Sequence, residues 1–258
     1  MGKKKSLIIG STYSSKSYGD FKVIEDNGAF DVKVEFILTG YTKKVQRGGV
    51  TTGSIKDPYY PSVYGIAWLG EGKFTARVGG KLTKSYQEWT GMLSRCYGTT
   101  KQHHWQSYRL NVEVCEEWLC FQDYAAWYER GCIEGWEVDK DVLCTSSKIY
   151  SPETCLFLPP RLNKCFIGKN RVTEYPIGVT PIKGDIGYIA RLNVVDIREY
   201  LGYFLCPYQA FAKYKSEKEK LIRSLAVEYE GLLPKRTYEA LMNYEVKDPS
   251  SYQAHLHI

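Results

Sequence analysis

The sequence predicts an α+β protein: a small β-barrel at the N-terminus, helices and a β-hairpin in the middle, and a three-stranded sheet backed by a long helix at the end. Three observations carry the prediction. Apolar and polar residues alternate on both sides of Asn27-Gly28, a dipeptide suited to a two-residue hairpin turn. Apolar residues recur every three or four positions through KSYQEWTGMLSRCYG and CEEWLCFQDYAAWYERG, the period of a helix with one buried face. Near the end, three short strand-like runs precede CPYQAFAKYKSEKEKLIRSLAVEYEG, which is long and periodic enough for a single helix.

Taken in order, residues 1–82 form a β-rich part. FKVIEDNGAFDVKVEFILTGYTKKV supplies the strands, and Gly40, Gly48-Gly49 and Gly53 supply later turns, so a barrel is expected over about residues 17–57. KDPYYPSVYGIAWLGEGKFTARVGGKL, rich in Pro, Gly and aromatics, reads as a connector with one further hairpin. Residues 83–170 form a second part. Its first helix gathers Trp89, Met92, Leu93 and Cys96 on one face and stops at Gly98; its second gathers Trp118, Phe121, Tyr124, Ala125 and Tyr128. Between them, His103 and His104 point in different directions on most backbones and read as a solvated loop. A hairpin and a short helix over about 159–166 complete this part. Residues 171–258 form the third. Turns fall at Lys183-Gly184-Asp185 and around Asn193. Phe211, Tyr214, Leu221, Ile222, Leu225 and Tyr229 make the buried stripe of the long helix, Gly231 and Pro234 stop it, and TYEALMNY is a short last helix.

Composition limits the function. No apolar run approaches the roughly 18 residues of a membrane span, so no membrane partner is expected. The eight cysteines show no CxxC pair and no zinc-ligand spacing, which points to reduced, mostly buried thiols in a cytoplasmic protein. The net charge of +6 is local: residues 1–82 hold 13 Lys/Arg against 7 Asp/Glu, while the second and third parts carry −1 and +1. This excess, at Lys3-Lys4-Lys5, Lys43, Lys44 and Arg47, fits an electrostatic grip on nucleic acid. The 22 Tyr, 9 Phe and 6 Trp suit small aromatic cores, stacking on bases, or a surface for a protein partner.

One stretch carries chemistry: EVDKDVLCTSSKIYSPETCLFLPPRLN, from Glu137 to Asn163. Asp139 and Asp141 bracket Lys140, a strand-like CLFLP follows, and Asn163 falls on the short helix. A carboxylate and an amide oxygen of this kind can hold a Mg²⁺ ion against a phosphodiester.

This second part resembles the HNH nucleases of phages and mobile elements. Val138-Asp139-Lys140 stands where that family has hydrophobic-Asp-His, Cys155-Leu156 where it has Asn-Leu, and Asn163 at its late metal-ligand position, with YSPETCLFLP as the lead-in. The resemblance implies a metal-dependent, homing-like DNA endonuclease on a ββα-metal motif. Asp139 and Asn163 would hold Mg²⁺ or another divalent cation, with Asp141 as a spare carboxylate and Lys140 in the place of the base. Lysine departs from the family here. Imidazole accepts a proton near neutral pH, whereas an ammonium with a reference pKa near 10.4 does not. Lys140 therefore suits phosphate contact or ion pairing, His103 and His104 are the other imidazoles of this part, and a DNA-binding protein that has lost catalysis is the alternative.

The third part resembles the APETALA2-type DNA-binding domain, on Ile177-Gly178-Val179, Tyr188-Ile189-Ala190-Arg191, Tyr200-Leu201-Gly202-Tyr203-Phe204, Pro207 and Gln209-Ala210. That family lays a three-stranded sheet in the major groove of duplex DNA with a helix behind it. The resemblance implies groove-facing roles for Thr180, Lys183, Tyr188, Arg191 and Arg198, in a protein of a phage-infected or host bacterial cell. A regulator acting on a host protein is the further expectation.

Overall fold

The computed structural model describes residues 7–98, 112–140, 142–143, 148–166, 174–194 and 197–247. The chain divides into two compact units, Met1–Gly131 and Cys132–Ile258.

The first unit begins with an antiparallel meander, β1 (Thr12–Ser14), β2 (Asp20–Asp26), β3 (Val32–Phe36) and β4 (Thr42–Val45), joined in that order. Strand alternation sends Phe21, Val23, Val32, Val34 and Phe36 inward, where Val50 of helix α1 (Arg47–Thr52) and Ile55 close over them. Each such buried side chain stabilises the unit by about 1.5–3 kcal/mol. The expected barrel does not form. The four strands leave β1 and β4 as edges, and the apolar face is covered by α1 and the chain after it instead of by strand closure.

Beyond this sheet come a two-stranded hairpin, β5 (Arg77–Val78) and β6 (Lys81–Leu82), and two helices, α2 (Lys84–Tyr97) and α3 (Phe121–Gly131). The strand β7 (Glu113–Val114) and a 3-10 turn at Glu116–Leu119 precede α3. The helices bury the faces that the 3.6-residue period marks: Trp89, Met92, Leu93 and Cys96 on α2, and Phe121, Tyr124, Ala125 and Tyr128 on α3. The indole N–H of Trp89, buried with them, donates to the Trp118 carbonyl at 2.7 Å. Gly98 leaves α2 with an extended backbone, ψ 147°, and only glycine fits there because a Cβ would lie 2.6 Å from the Ser94 carbonyl oxygen. His103 and His104 lie outside the described residues.

The second unit pairs β8 (Glu137–Asp139) with β10 (Leu156–Leu158), after the short β9 (Ile149–Tyr150) and before helix α4 (Pro160–Lys164). The turn into β10 is held by its own side chains. The Thr154 hydroxyl donates to the Ile149 carbonyl at 2.7 Å and accepts the Ser151 N–H at 3.0 Å. A three-stranded antiparallel sheet follows, β11 (Val179–Pro181), β12 (Tyr188–Val194) and β13 (Ile197–Phe204). Asn193 lies within β12 and not in a turn. Helices α5 (Pro207–Glu228) and α6 (Lys235–Met242) complete the unit.

One core joins these pieces. Leu156, Leu158, Leu162, Cys165 and Phe166 share it with Leu192 and Val194 of the sheet and with Ile222, Leu225 and Leu241 of the last helices. A boundary near residue 170 would divide that core. Gly178 lets α5 meet β11: its φ is +80°, and a Cβ there would lie 2.2 Å from the ring of Tyr214. None of the seven described cysteines is in a disulfide. Among the described residues no helix is long and apolar enough to cross a membrane.

Candidate nucleic-acid interface

The three-stranded sheet has one covered face and one open face. Along β12, Ala190, Leu192 and Val194 are buried on the α5 side while Arg191 and Asn193 are exposed. Cross-strand register then builds the open face in pairs: Thr180 beside Ile189, Ile189 beside Tyr203, Arg191 beside Tyr200, and Asn193 beside Arg198. A β-bulge between Ala190 and Arg191 leaves Leu201 as the extra residue of β13, and Leu201 turns to the core.

Tyr200 is 60% exposed and Tyr203 45%, a large aromatic area for an open face. Tyr203 is fixed at its tip, where its hydroxyl donates to the Asp185 carboxylate at 3.2 Å, and the same carboxylate oxygen accepts the Gly187 N–H at 3.2 Å. Gly187 allows this crossing, since a Cβ there would lie within 2.1 Å of the Tyr203 ring. Burial and the Asp185 carboxylate both raise the Tyr203 pKa, so the hydroxyl stays protonated at neutral pH. Among the described residues, neither Arg191 nor Arg198 has a carboxylate within 4 Å.

The expected contact residues therefore separate. Thr180, Arg191 and Arg198 share the open face, and Lys183 is exposed in the β11–β12 turn. Tyr188 alternates with Arg191's side of the strand: it follows the parity of Ala190 and Leu192, and its ring lies 5.5 Å from that of Tyr175. Of the N-terminal cations, Lys3, Lys4 and Lys5 lie outside the described residues, and Lys43, Lys44 and Arg47 are engaged inside their own unit. Arg47 makes two hydrogen bonds of 2.6 Å to Asp26, Lys44 lies 3.1 Å from Asp31, and Lys43 is 5.8 Å from the centroid of Tyr41. The Arg47 guanidinium holds the Asp26 carboxyl below its ordinary pKa.

The 137–163 stretch folds as hairpin and helix, but its side chains are committed. Asp139 is 9% exposed and accepts the Val142 N–H at 3.0 Å, closing the turn after β8. Lys140 is 7% exposed, with its ammonium 5.6 Å from the centroid of Tyr150. Asp141 lies outside the described residues. The Asn163 amide donates to Glu137 at 2.6 Å. Burial pushes the Cys155 thiol up to about 12, with the Asp139 carboxylate adding to the rise and Lys140 opposing it, so Cys155 is a neutral thiol beside the turn. Among the described residues no group of three or more His, Cys, Asp or Glu side chains is placed to hold a metal ion. Asp139 and Asn163 offer two oxygen donors, so a Mg²⁺ ion held there would take the rest of its octahedral shell from water and phosphate.

Motif spacing alone passes over two residues. Glu137 partners Asn163, and its position two before Asp139 on a strand puts both carboxylates on one side. Lys218 sits on the buried stripe of α5, four residues from both Tyr214 and Ile222, a spacing that marks it for the core. Compared with known proteins, the chain matches no family model, no curated protein and no solved structure.

Proposed function

We propose that this chain binds double-stranded DNA through the open face of its three-stranded sheet, with the Glu137–Asn163 segment serving as a nuclease-like brace that does not cut. The observation that carries the reading is the pair Arg191 and Arg198, exposed on a helix-backed open sheet face and without a carboxylate partner among the described residues. Guanidinium groups so placed reach phosphates or guanine edges, and a sheet face fits the major groove. Tyr200 and Tyr203 add flat apolar area beside the cations. The APETALA2-like residues of β11–β13 and the phage-nuclease spacing of 137–163 support a DNA partner, in a phage-infected or bacterial cell.

A labelled duplex and fluorescence anisotropy test this. Arg191→Ala and Arg198→Ala are each expected to weaken binding by roughly 1–3 kcal/mol if they reach bases, or to lower the salt slope by about 1 if they reach phosphates. Both arginines are exposed, so the thermal melt should stay unchanged. Unaltered affinity and salt slope in the double variant would rule out this face.

A metal-dependent endonuclease is the second reading. It is favoured by the hairpin-then-helix layout, which sets Asn163 against Glu137, two residues from Asp139. In that reading Asp139 and Asn163 hold a divalent cation such as Mg²⁺, which would neutralise charge on the phosphate.

A further inference from the structure

We infer that the β5–β6 hairpin of the first unit is a second contact for duplex nucleic acid, a basic ribbon that enters a groove and touches phosphates on both of its sides. It lies in KFTARVGGKLTK, which holds Lys73, Arg77, Lys81 and Lys84 and no acid. The ribbon pairs Arg77 with Leu82 and Val78 with Lys81, so each face carries one cation. Gly79-Gly80 closes it with φ of 56° and 79°, the left-handed pair that a tight primed turn needs.

Every residue from Arg77 to Leu82 is exposed, Val78 at 67%. A free two-stranded hairpin is marginal in water. This one is anchored at its base. The Thr83 N–H donates to the Ala76 carbonyl and its hydroxyl to the Thr75 carbonyl, both at 3.0 Å. From α2, the Gln87 amide donates to the Leu82 carbonyl at 3.1 Å. From α3, the Gln122 amide brackets Phe74, accepting its N–H at 3.1 Å and donating to its carbonyl at 2.8 Å. At the tip, Arg77 donates to the Gly80 carbonyl at 2.9 Å. The ribbon is therefore preorganised, yet both faces are bare.

Its charge is uncompensated. Among the described residues none of its four cations has a carboxylate within 4 Å, whereas Lys33, Lys44 and Arg47 of the same unit are all paired. The nearest acids along the chain are Glu71, which accepts from the Tyr41 hydroxyl, and Glu88 on α2. A major groove about 12 Å wide admits a two-stranded ribbon, and phosphates flank it on both walls. Cations on both ribbon faces match that geometry. A membrane surface would engage one face and favour a broader apolar tip than Val78.

The test uses the full chain and a labelled duplex, with affinity measured against salt. Lys73→Gln/Lys81→Gln/Lys84→Gln is expected to lower the salt slope by about 0.9 for each phosphate no longer neutralised, and to weaken binding about tenfold or more near 0.1 M salt. Lys→Arg at the same three positions should keep both. These substitutions are independent of the sheet: a binding defect in Arg191→Ala/Arg198→Ala reports on the other face, and an effect of either set stands without the other. An unchanged slope in the glutamine variant overturns the inference. So does a wild-type chain that binds no duplex at about 20 mM salt, or a glutamine variant that stops binding phosphatidylserine vesicles while keeping the duplex.

Discussion

Lys218 keeps an ammonium in the core of the second unit, 4% exposed, with the Tyr214 hydroxyl as its hydrogen-bond acceptor at 3.0 Å. Burial lowers the Lys218 pKa, the nearby Cys165 opposes that shift, and burial raises the Tyr214 hydroxyl. The sign of the pH effect follows. Below the folded pKa the native side chain is charged and carries its full desolvation cost. As pH rises through that value the native chain releases a proton that the unfolded chain still holds, so stability gains from this group up to about pH 10.4. Lys218→Met is expected to be more stable than wild type at pH 7 by roughly 1–2 kcal/mol, because relief of the buried charge outweighs the hydrogen bond lost by the Tyr214 hydroxyl, with the margin narrowing toward pH 10. Urea melts at pH 7 and pH 9.5 check it. A less stable variant at pH 7 would mean that the hydrogen bond to Tyr214 outweighs desolvation.

At the scale of elements, the hairpin of β8 and β10 with α4 has the contacts of a brace. Asp139 closes a turn, Lys140 is packed near Tyr150, and Asn163 ties α4 to β8 through Glu137. An ammonium cannot take water's proton, so purified protein with supercoiled DNA in Mg²⁺ or Mn²⁺ is expected to leave it uncut. Nicking that disappears in both Asp139→Ala and Asn163→Ala would establish the endonuclease instead. Asp139→Ala is also expected to lower stability by roughly 1–3 kcal/mol, because the buried Val142 N–H loses its acceptor. A calorimetric melt reads that change.

At the scale of the molecule, the second unit is built on one core, since residues from Leu156 to Phe166 complete it beneath the sheet and its helices. A fragment of residues 171–258 would expose Leu192, Ile222, Leu225 and Leu241 on the side those residues cover. It is expected not to fold alone, whereas a fragment from Cys132 should. Near-UV circular dichroism and NMR dispersion decide between the two; a well-dispersed spectrum from 171–258 would make it an independent domain.

The strands and helices were readable from periodicity because alternation and the 3.6-residue repeat are local properties of the chain. Phe21 and Val34, Trp89 and Leu93, and Tyr214 and Leu225 are buried as their spacing requires. What sequence could not supply was which partner each polar group would meet. Lys44 and Arg47 look like a basic patch until Asp31 and Asp26, on a neighbouring turn and strand, neutralise them. Asp139 and Asn163 have the spacing of metal ligands until a backbone N–H and Glu137 engage them. Composition and periodicity by themselves determined the mixed fold, the buried faces and the positive balance of the first 82 residues. Tertiary structure alone decided that the meander stays open, that the described residues after Cys132 share one core, and that, among the described residues, Arg191, Arg198 and the four cations of the β5–β6 ribbon lie without a carboxylate within 4 Å. The reason is that charge compensation and core sharing depend on contacts between residues distant in sequence, which no local period records.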